Sequence, residues 1–189
     1  MRRKGIRVKR SIGLIELRSI ARGIETTDAM LKAADVELLR AHVVCPGKYI
    51  VLIAGDVGAV RAAMSAGELI APGVIVDSFV LPNAHPAIFP ALTATTEVEQ
   101  VRSLGVIETF TLAAAIVAAD TAVKAAQIDL LEIRLPFALG GKAFAIFTGD
   151  VSSVRSAVQS AVNSLKDEGV IESYVVIPQP HKQLIEKLL

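Results

Sequence analysis

The stretch SIGLIELRSIARGIETTDAMLKAADVELLRAHVVCPGKYIVLIAGD, residues 11–56, decides the fold because the chain carries it twice. Its counterpart is SLGVIETFTLAAAIVAADTAVKAAQIDLLEIRLPFALGGKAFAIFTGD, residues 103–150. Gly13, Glu16, Asp28, Lys32 and Leu38 recur 92 positions later as Gly105, Glu108, Asp120, Lys124 and Leu130. Gly47-Lys48 and Gly55-Asp56-Val57 recur at an offset of 94, as Gly141-Lys142 and Gly149-Asp150-Val151. Further out, Pro82 and His85 recur at 96, as Pro178 and His181. The offset grows in steps of two residues, as expected when insertions fall in loops and the elements stay intact. The 189 residues therefore divide into two domains of about 90 each. Cys45, the only cysteine, has no echo: the matching position is Leu139.

Within each copy, hydrophobic periodicity gives the elements. Ser11 to Leu17 reads as a strand. Ser19 stands as a helix N-cap, matched by Thr111, and Ile20, Ile24, Thr27, Leu31 and Ala34 follow at helical spacing. Val36 to Val44 and Tyr49 to Ala54 read as strands joined by the turn Cys45-Pro46-Gly47-Lys48, a hairpin pattern. Asp56 and Asp150 are expected to cap second helices, Val57 to about Ile70 and Val151 to about Leu165, with Pro72-Gly73 ending the first. Val74 to Leu81 and Val170 to Ile177 close the units as strands. The order β-α-β-β-α-β predicts an α+β chain of two ferredoxin-like domains, each a four-stranded antiparallel sheet with two helices on one face. A short helix is expected from Pro86 to about Leu92, then a polar linker from Thr93 to Ser103. The predicted organisation is a leader at 1–10, a first domain at 11–100 and a second at 101–189.

Composition narrows the classes. Hydrophobic residues make up 52% and mean hydropathy is +0.53, values that raise the question of a membrane. The apolar run from Leu112 to Ala119 stops at Asp120, far short of the ~18 residues a span needs. Much of the excess is alanine, which suits close packing, and an apolar-rich chain without a span commonly hides surface in an oligomer. Net charge is +1, but Met1 to Arg10 holds six of the 20 basic residues and no acid, so the remainder is acidic, 14 against 19. Such a leader reads as a solubilising tail or a contact for an acidic partner; it lacks the apolar core of a secretion signal. Neither copy carries the aromatic pairs of an RNA-reading sheet, which with the acidic body argues against nucleic acid. A lone cysteine allows no internal disulfide and suits a reducing compartment.

The motifs are then specific enough to name a likeness. Gly-Leu-Ile-Glu (13–16), Asp-Ala-Met-Leu-Lys-Ala-Ala (28–34), Gly-Lys-Tyr (47–49), Gly-Asp-Val-Gly-Ala-Val (55–60) and Pro-Asn-Ala-His (82–85) resemble bacterial microcompartment shell proteins. The second copy repeats them from about Gly105 to His181, in unpermuted order. The chain resembles the tandem-domain members, in which three chains form a six-sided plate, and its Cys-Pro-Gly-Lys turn resembles most the iron–sulfur type of propanediol utilisation.

That resemblance implies roles. Lys32 and Lys124 match the lysine of the plate edge, where a long stem covers apolar surface and the ammonium reaches a neighbour's carbonyl oxygens. By themselves they read as solvated helix charges. Asn83 with His85, and Gln179 with His181, match the Pro-Arg-Pro-His edge motif, but both copies replace its arginine, which puts the guanidinium contacts in doubt. Pro46, Gly47 and Lys48, with Leu139, Gly140, Gly141 and Lys142, match the loops that line the central pore. Lys48 and Lys142 either add positive charge there or point away.

Alone, Cys45 reads as a small buried hydrophobe. Its place at a sharp turn, and the resemblance that puts this turn on a three-fold axis, point instead to metal. One thiolate cannot hold a cluster, but three chains supply three, and a [4Fe–4S] cubane has three-fold axes along its body diagonals. The fourth iron would need a non-cysteine ligand. Amides of Gly47 and Lys48 are candidates to hydrogen-bond cluster sulfur. Zinc on three thiolates and water is the rival. His42, three residues away on an alternating strand, is expected to face the opposite side.

The function implied is a structural, non-enzymatic shell component of the bacterial cytoplasm. It would form a homotrimer that tiles with other shell proteins, its axial cluster exchanging electrons with an electron-transfer flavoprotein or ferredoxin-like partner. Two alternatives stay open: a metabolite pore in which Cys45 is incidental, and a stand-alone tandem regulator binding a small effector. No nucleophile elbow, P-loop or metalloprotease signature is present. Glu16 and Glu108, the only acid–base candidates, repeat symmetrically and read as structural.

Overall fold

In the computed structural model, residues 11–98, 100–136 and 139–188 are described; the basic leader lies outside them. The first repeat runs β1 (Ser11–Leu17), α1 (Ile20–Ala33), β2 (Glu37–Val44), β3 (Lys48–Gly55), α2 (Val57–Ile70) and β4 (Ile75–Pro82). After α3 (Ile88–Thr93), the second runs β5 (Leu104–Thr109), α4 (Leu112–Ala125), β6 (Ile128–Arg134), β7 (Ala143–Gly149), α5 (Val151–Leu165) and β8 (Ile171–Ile177), and α6 (Lys182–Leu188) follows. The sheets have the strand orders β2-β3-β1-β4 and β6-β7-β5-β8, and every pairing is antiparallel. This is the split β-α-β arrangement, found twice.

Local chemistry accounts for the elements. Ser19 Oγ accepts from the Arg22 amide and Thr111 Oγ1 from the Ala114 amide, so the predicted caps of α1 and α4 hold. Asp56 and Asp150 occupy the cap positions of α2 and α5, but their side chains make no capping hydrogen bond. Asp150 instead pairs with Arg102 at 2.6 Å.

β1 is buried along its whole length, as is most of β3, whose run Tyr49–Ala54 is unbroken and apolar. Ile15, Leu17, Tyr49, Val51 and Ile53 pack with Met30, Val60, Ala63 and Met64 of α1 and α2. Gly13 and Gly105 recur because helix and ring approach so closely here. A Cβ on Gly13 would meet Met64 Sδ at 2.7 Å, and one on Gly105 would run into the Phe147 ring. The chain forms two compact units, Met1–Pro86 and Ala87–Leu189. The segment that reads as a linker thus goes with the second unit, where α3 packs on β6 and α4, and Val98 and Val101 pack against Leu104, Leu131 and Ile146.

Candidate functional site

The hairpin turn between β2 and β3 has its counterpart between β6 and β7. In the first, Gly47 takes φ +85° and its amide donates to the Val44 carbonyl at 3.0 Å, closing the turn. In the second, Gly140 and Gly141 take φ +64° and +93°, and the Lys142 amide donates to the Leu139 carbonyl at 3.1 Å. Left-handed backbone of this kind is why glycine recurs here. Nothing lies within 4 Å of a Cβ built on Gly47 or Gly140, so both turns project into open space. Pro46 and Gly47 are exposed and follow a cis Cys45–Pro46 bond; Leu139 is half-buried and Gly140 exposed.

Cys45 sits half-buried just after β2 and forms no disulfide. Among the described residues, no group of three or more His, Cys, Asp or Glu side chains gathers to hold a metal ion. With no such group around the Cys45 thiol among the described residues, a metal there would need donors from further chains. His42 is exposed on β2, in register with Ile50 of β3. The Gly47 amide is committed to the turn and is not the free donor to cluster sulfur that the sequence reading offers.

The two turn lysines fold back on acids. Lys48 Nζ lies 2.7 Å from Glu16, a carboxylate almost wholly buried on β1. Lys142 Nζ lies 2.7 Å from Glu172 and 3.3 Å from Glu108. The hydrogen bond that the Lys142 ammonium donates to Glu172, partly opposed by desolvation and then reinforced by Glu108, raises the Lys142 pKa above that of an ordinary lysine. Neither ammonium is an unpaired charge at its turn. Glu16 and Glu108 are thus structural, anchoring the base of each turn to the central strand. Glu172 escaped the sequence reading, although its place three residues into the closing strand region, beside Glu108 in the antiparallel register, is the signal that would have found it.

The residues matched to a plate edge fall at two kinds of place. Lys32 is exposed on α1 and pairs with Asp28 at 2.5 Å; Lys124 on α4 pairs with Asp120 at the same distance, and Asp120 is buried. Asn83 is exposed at the end of β4 with φ +54°, a backbone asparagine tolerates. His85 is half-buried, and Gln179 and His181 are exposed after β8. The His181 carbonyl accepts from the amides of Leu184 and Ile185, opening α6, while its Nδ1 accepts from Gln183.

A family model for the BMC domain matches residues 11–84 and again 103–180. The chain belongs to the BMC-domain family. It is 41% identical over 182 residues to the bacterial microcompartment shell protein PduT of Citrobacter freundii, covering 96% of this chain and 99% of that one. It is 30% identical to the carboxysome assembly protein CcmO of Synechococcus elongatus, covering 94% and 68%. Among solved structures, a microcompartment protein from Desulfitobacterium hafniense superposes with a TM-score of 0.92 at 52% identity, over 95% of this chain and 99% of that one. The tandem BMC architecture therefore matches the sequence reading in both copies. No helix among the described residues is long and apolar enough to cross a membrane.

Proposed function

We propose that this protein is a tile of a bacterial microcompartment shell in the cytoplasm, active as a homotrimer whose six BMC domains form a pseudohexagonal plate. In this reading the turns at Cys45 and Leu139 alternate around the axis, and three copies of Cys45 hold a [4Fe–4S] cluster. The observation that carries the reading is a lone thiol on a turn that projects into open space, in one copy only, with no metal-ligating group gathered around it among the described residues. The donor set fits a three-fold site: each chain supplies one thiolate, and the bulk that Pro46 and Gly47 leave beside it is small. A bound cluster would supply one-electron transfer, with a redox flavoprotein or ferredoxin as partner. The residues themselves do the positioning. Gly47 closes the turn, Lys48 ties its far end to Glu16, and Lys32, Lys124 and the segments Asn83–His85 and Gln179–His181 lie at the plate edges, against other shell proteins. The likeness to PduT and CcmO supports the shell assignment.

The test is electron paramagnetic resonance with iron and acid-labile sulfide analysis on protein purified without oxygen, beside Cys45→Ser. A reducible cubane signal at one cluster per three chains, lost in the variant, is the expected result. Zinc in place of iron makes the site a tetrahedral metal plug. Metal content that ignores the substitution leaves a pore in which Cys45 is filler.

A further inference from the structure

The second unit holds a cavity that neither turn uses. It measures about 290 Å³ and opens between β6, the segment that follows α3 and the end of α6. Every residue lining it belongs to the unit Ala87–Leu189, so it needs no second chain. Its apolar part is Leu131, only 5% exposed, with Val98 and Leu188 beside it, all three packed with Leu104 and Ile146.

The polar part consists of three side chains. Thr96 lines the cavity with a hydroxyl whose oxygen is buried and finds no hydrogen-bond partner among the described residues. A buried hydroxyl left unpaired is costly, and a guest in the cavity would supply its partner. Glu132 and Arg134, alternate residues of β6, line it as well. Arg134 Nε donates to Glu132 Oε1 and its Nη2 to Oε2 at 2.6 Å, while the guanidinium carbon lies 5.6 Å from the centroid of the Phe144 ring. Held by carboxylate and ring together, the guanidinium is fixed in place before any guest arrives. The first copy has Arg40 and His42 at the matching positions and cannot form this pair.

We infer that the cavity is a binding site for a small, uncharged, oxygen-bearing molecule with a short hydrocarbon body: an alcohol, aldehyde or amide of a few carbons. The volume sits at the lower end of small-molecule sites, and the apolar wall takes the body. The oxygen of the guest answers the Thr96 hydroxyl. Charge decides the class. A carboxylate would meet Glu132 and an ammonium would meet Arg134, whereas a neutral dipole lies beside the pair without separating it. The site goes beyond the shell reading and depends neither on the trimer nor on a metal at Cys45.

The experiment labels the leucine and valine methyl groups of the full chain with carbon-13 and titrates three probes that share one tail: n-butanol, butyrate and n-butylammonium. The expected result is a saturable shift of the Val98, Leu131 and Leu188 methyl resonances with butanol, and binding several-fold weaker for either ion. Thr96→Val removes the hydroxyl and keeps the branched shape. It should weaken butanol binding several-fold while the Tm of the free protein stays level or rises, an outcome that loss of a structural contact would not give. An equal response to all three probes, or one that never saturates, is partition into apolar surface and overturns the inference. Butanol binding that ignores Thr96→Val overturns it as well, and so does the absence of any shift at these methyl groups.

Discussion

Replacing Lys48 by methionine isolates the ion pair at the base of the cysteine turn, because the stem keeps its length and only the ammonium is lost. Glu16 is 8% exposed at its side chain and Lys48 is 29% exposed, with 2.7 Å between the charges. At an effective dielectric near 20, the gross attraction is about 6 kcal/mol, most of it offset by dehydration of both groups. Removing one partner of a fully buried pair costs roughly 3–5 kcal/mol, and the partial exposure of Lys48 lowers this to about 2–3 kcal/mol. The second copy supplies the control: the acids beside Lys142, Glu108 and Glu172, are 35% and 33% exposed where Glu16 is 8%, so water screens the charges that Lys142→Met leaves behind and the loss should be clearly smaller. For a chain of this size, each kcal/mol moves Tm by about 2–4 °C. Scanning calorimetry at fixed protein concentration should therefore place Lys48→Met about 4–12 °C below the parent, with Lys142→Met clearly closer to it. Protein concentration must be held because assembly stabilises the folded chain by mass action. Adding Glu16→Gln to Lys48→Met should restore at least half the loss, since the stranded carboxylate is then gone. Equal losses at the two lysines, or a double variant no better than the single, would refute the reasoning.

Two further outcomes follow from the same geometry. Gly105→Ala should cost about 2–3 kcal/mol, because its Cβ meets the rigid, buried Phe147 ring, whereas Gly13→Ala meets chiefly the more flexible Met64, with Val60 Cγ1 at 3.0 Å, and should cost less, about 1–2 kcal/mol; calorimetry that ranks them the other way rejects the packing argument. Lys142 has its folded pKa above the unfolded value of ~10.4, so its contribution to stability is present below that value and is lost as pH rises through the folded pKa. Titration of its Cε resonance by NMR should show the raised value in the parent and a return toward an ordinary lysine in Glu172→Gln, and an unmoved titration would discard the Glu172 contact.

Much of this was legible in the sequence because the chain states it twice. The strand and helix order, the hairpin turn and the caps at Ser19 and Thr111 all follow from local pattern, and the duplicated motifs corroborate each one. What was not legible depends on partners distant in sequence. Whether Lys48 faces outward or back is decided by Glu16, 32 residues away on the strand paired directly with its own, and sequence spacing weighs the two equally. Asp150 reads correctly as the N-cap residue of α5, but its ion pair with Arg102, 48 residues away, does not show in local pattern. The segment from Thr93 to Ser103 reads as a polar linker, because the apolar side chains that fix it, Val98 and Val101, are sparse among threonines and acids. The acids Glu16 and Glu108 were legible as structural from their symmetry, but Glu172 has no acidic equivalent in the first copy to draw attention to it.

The pairing of the turn lysines has an electrostatic consequence. Beneath the first turn one ammonium meets one carboxylate, and the formal charges cancel. Beneath the second, one ammonium stands between two carboxylates, leaving a net charge of −1. An ion drawn toward either turn therefore meets no positive field from these lysines, in spite of the residue name at each position. Backbone dipoles at the first turn, and a weak, salt-screened repulsion of anions at the second, are what remain.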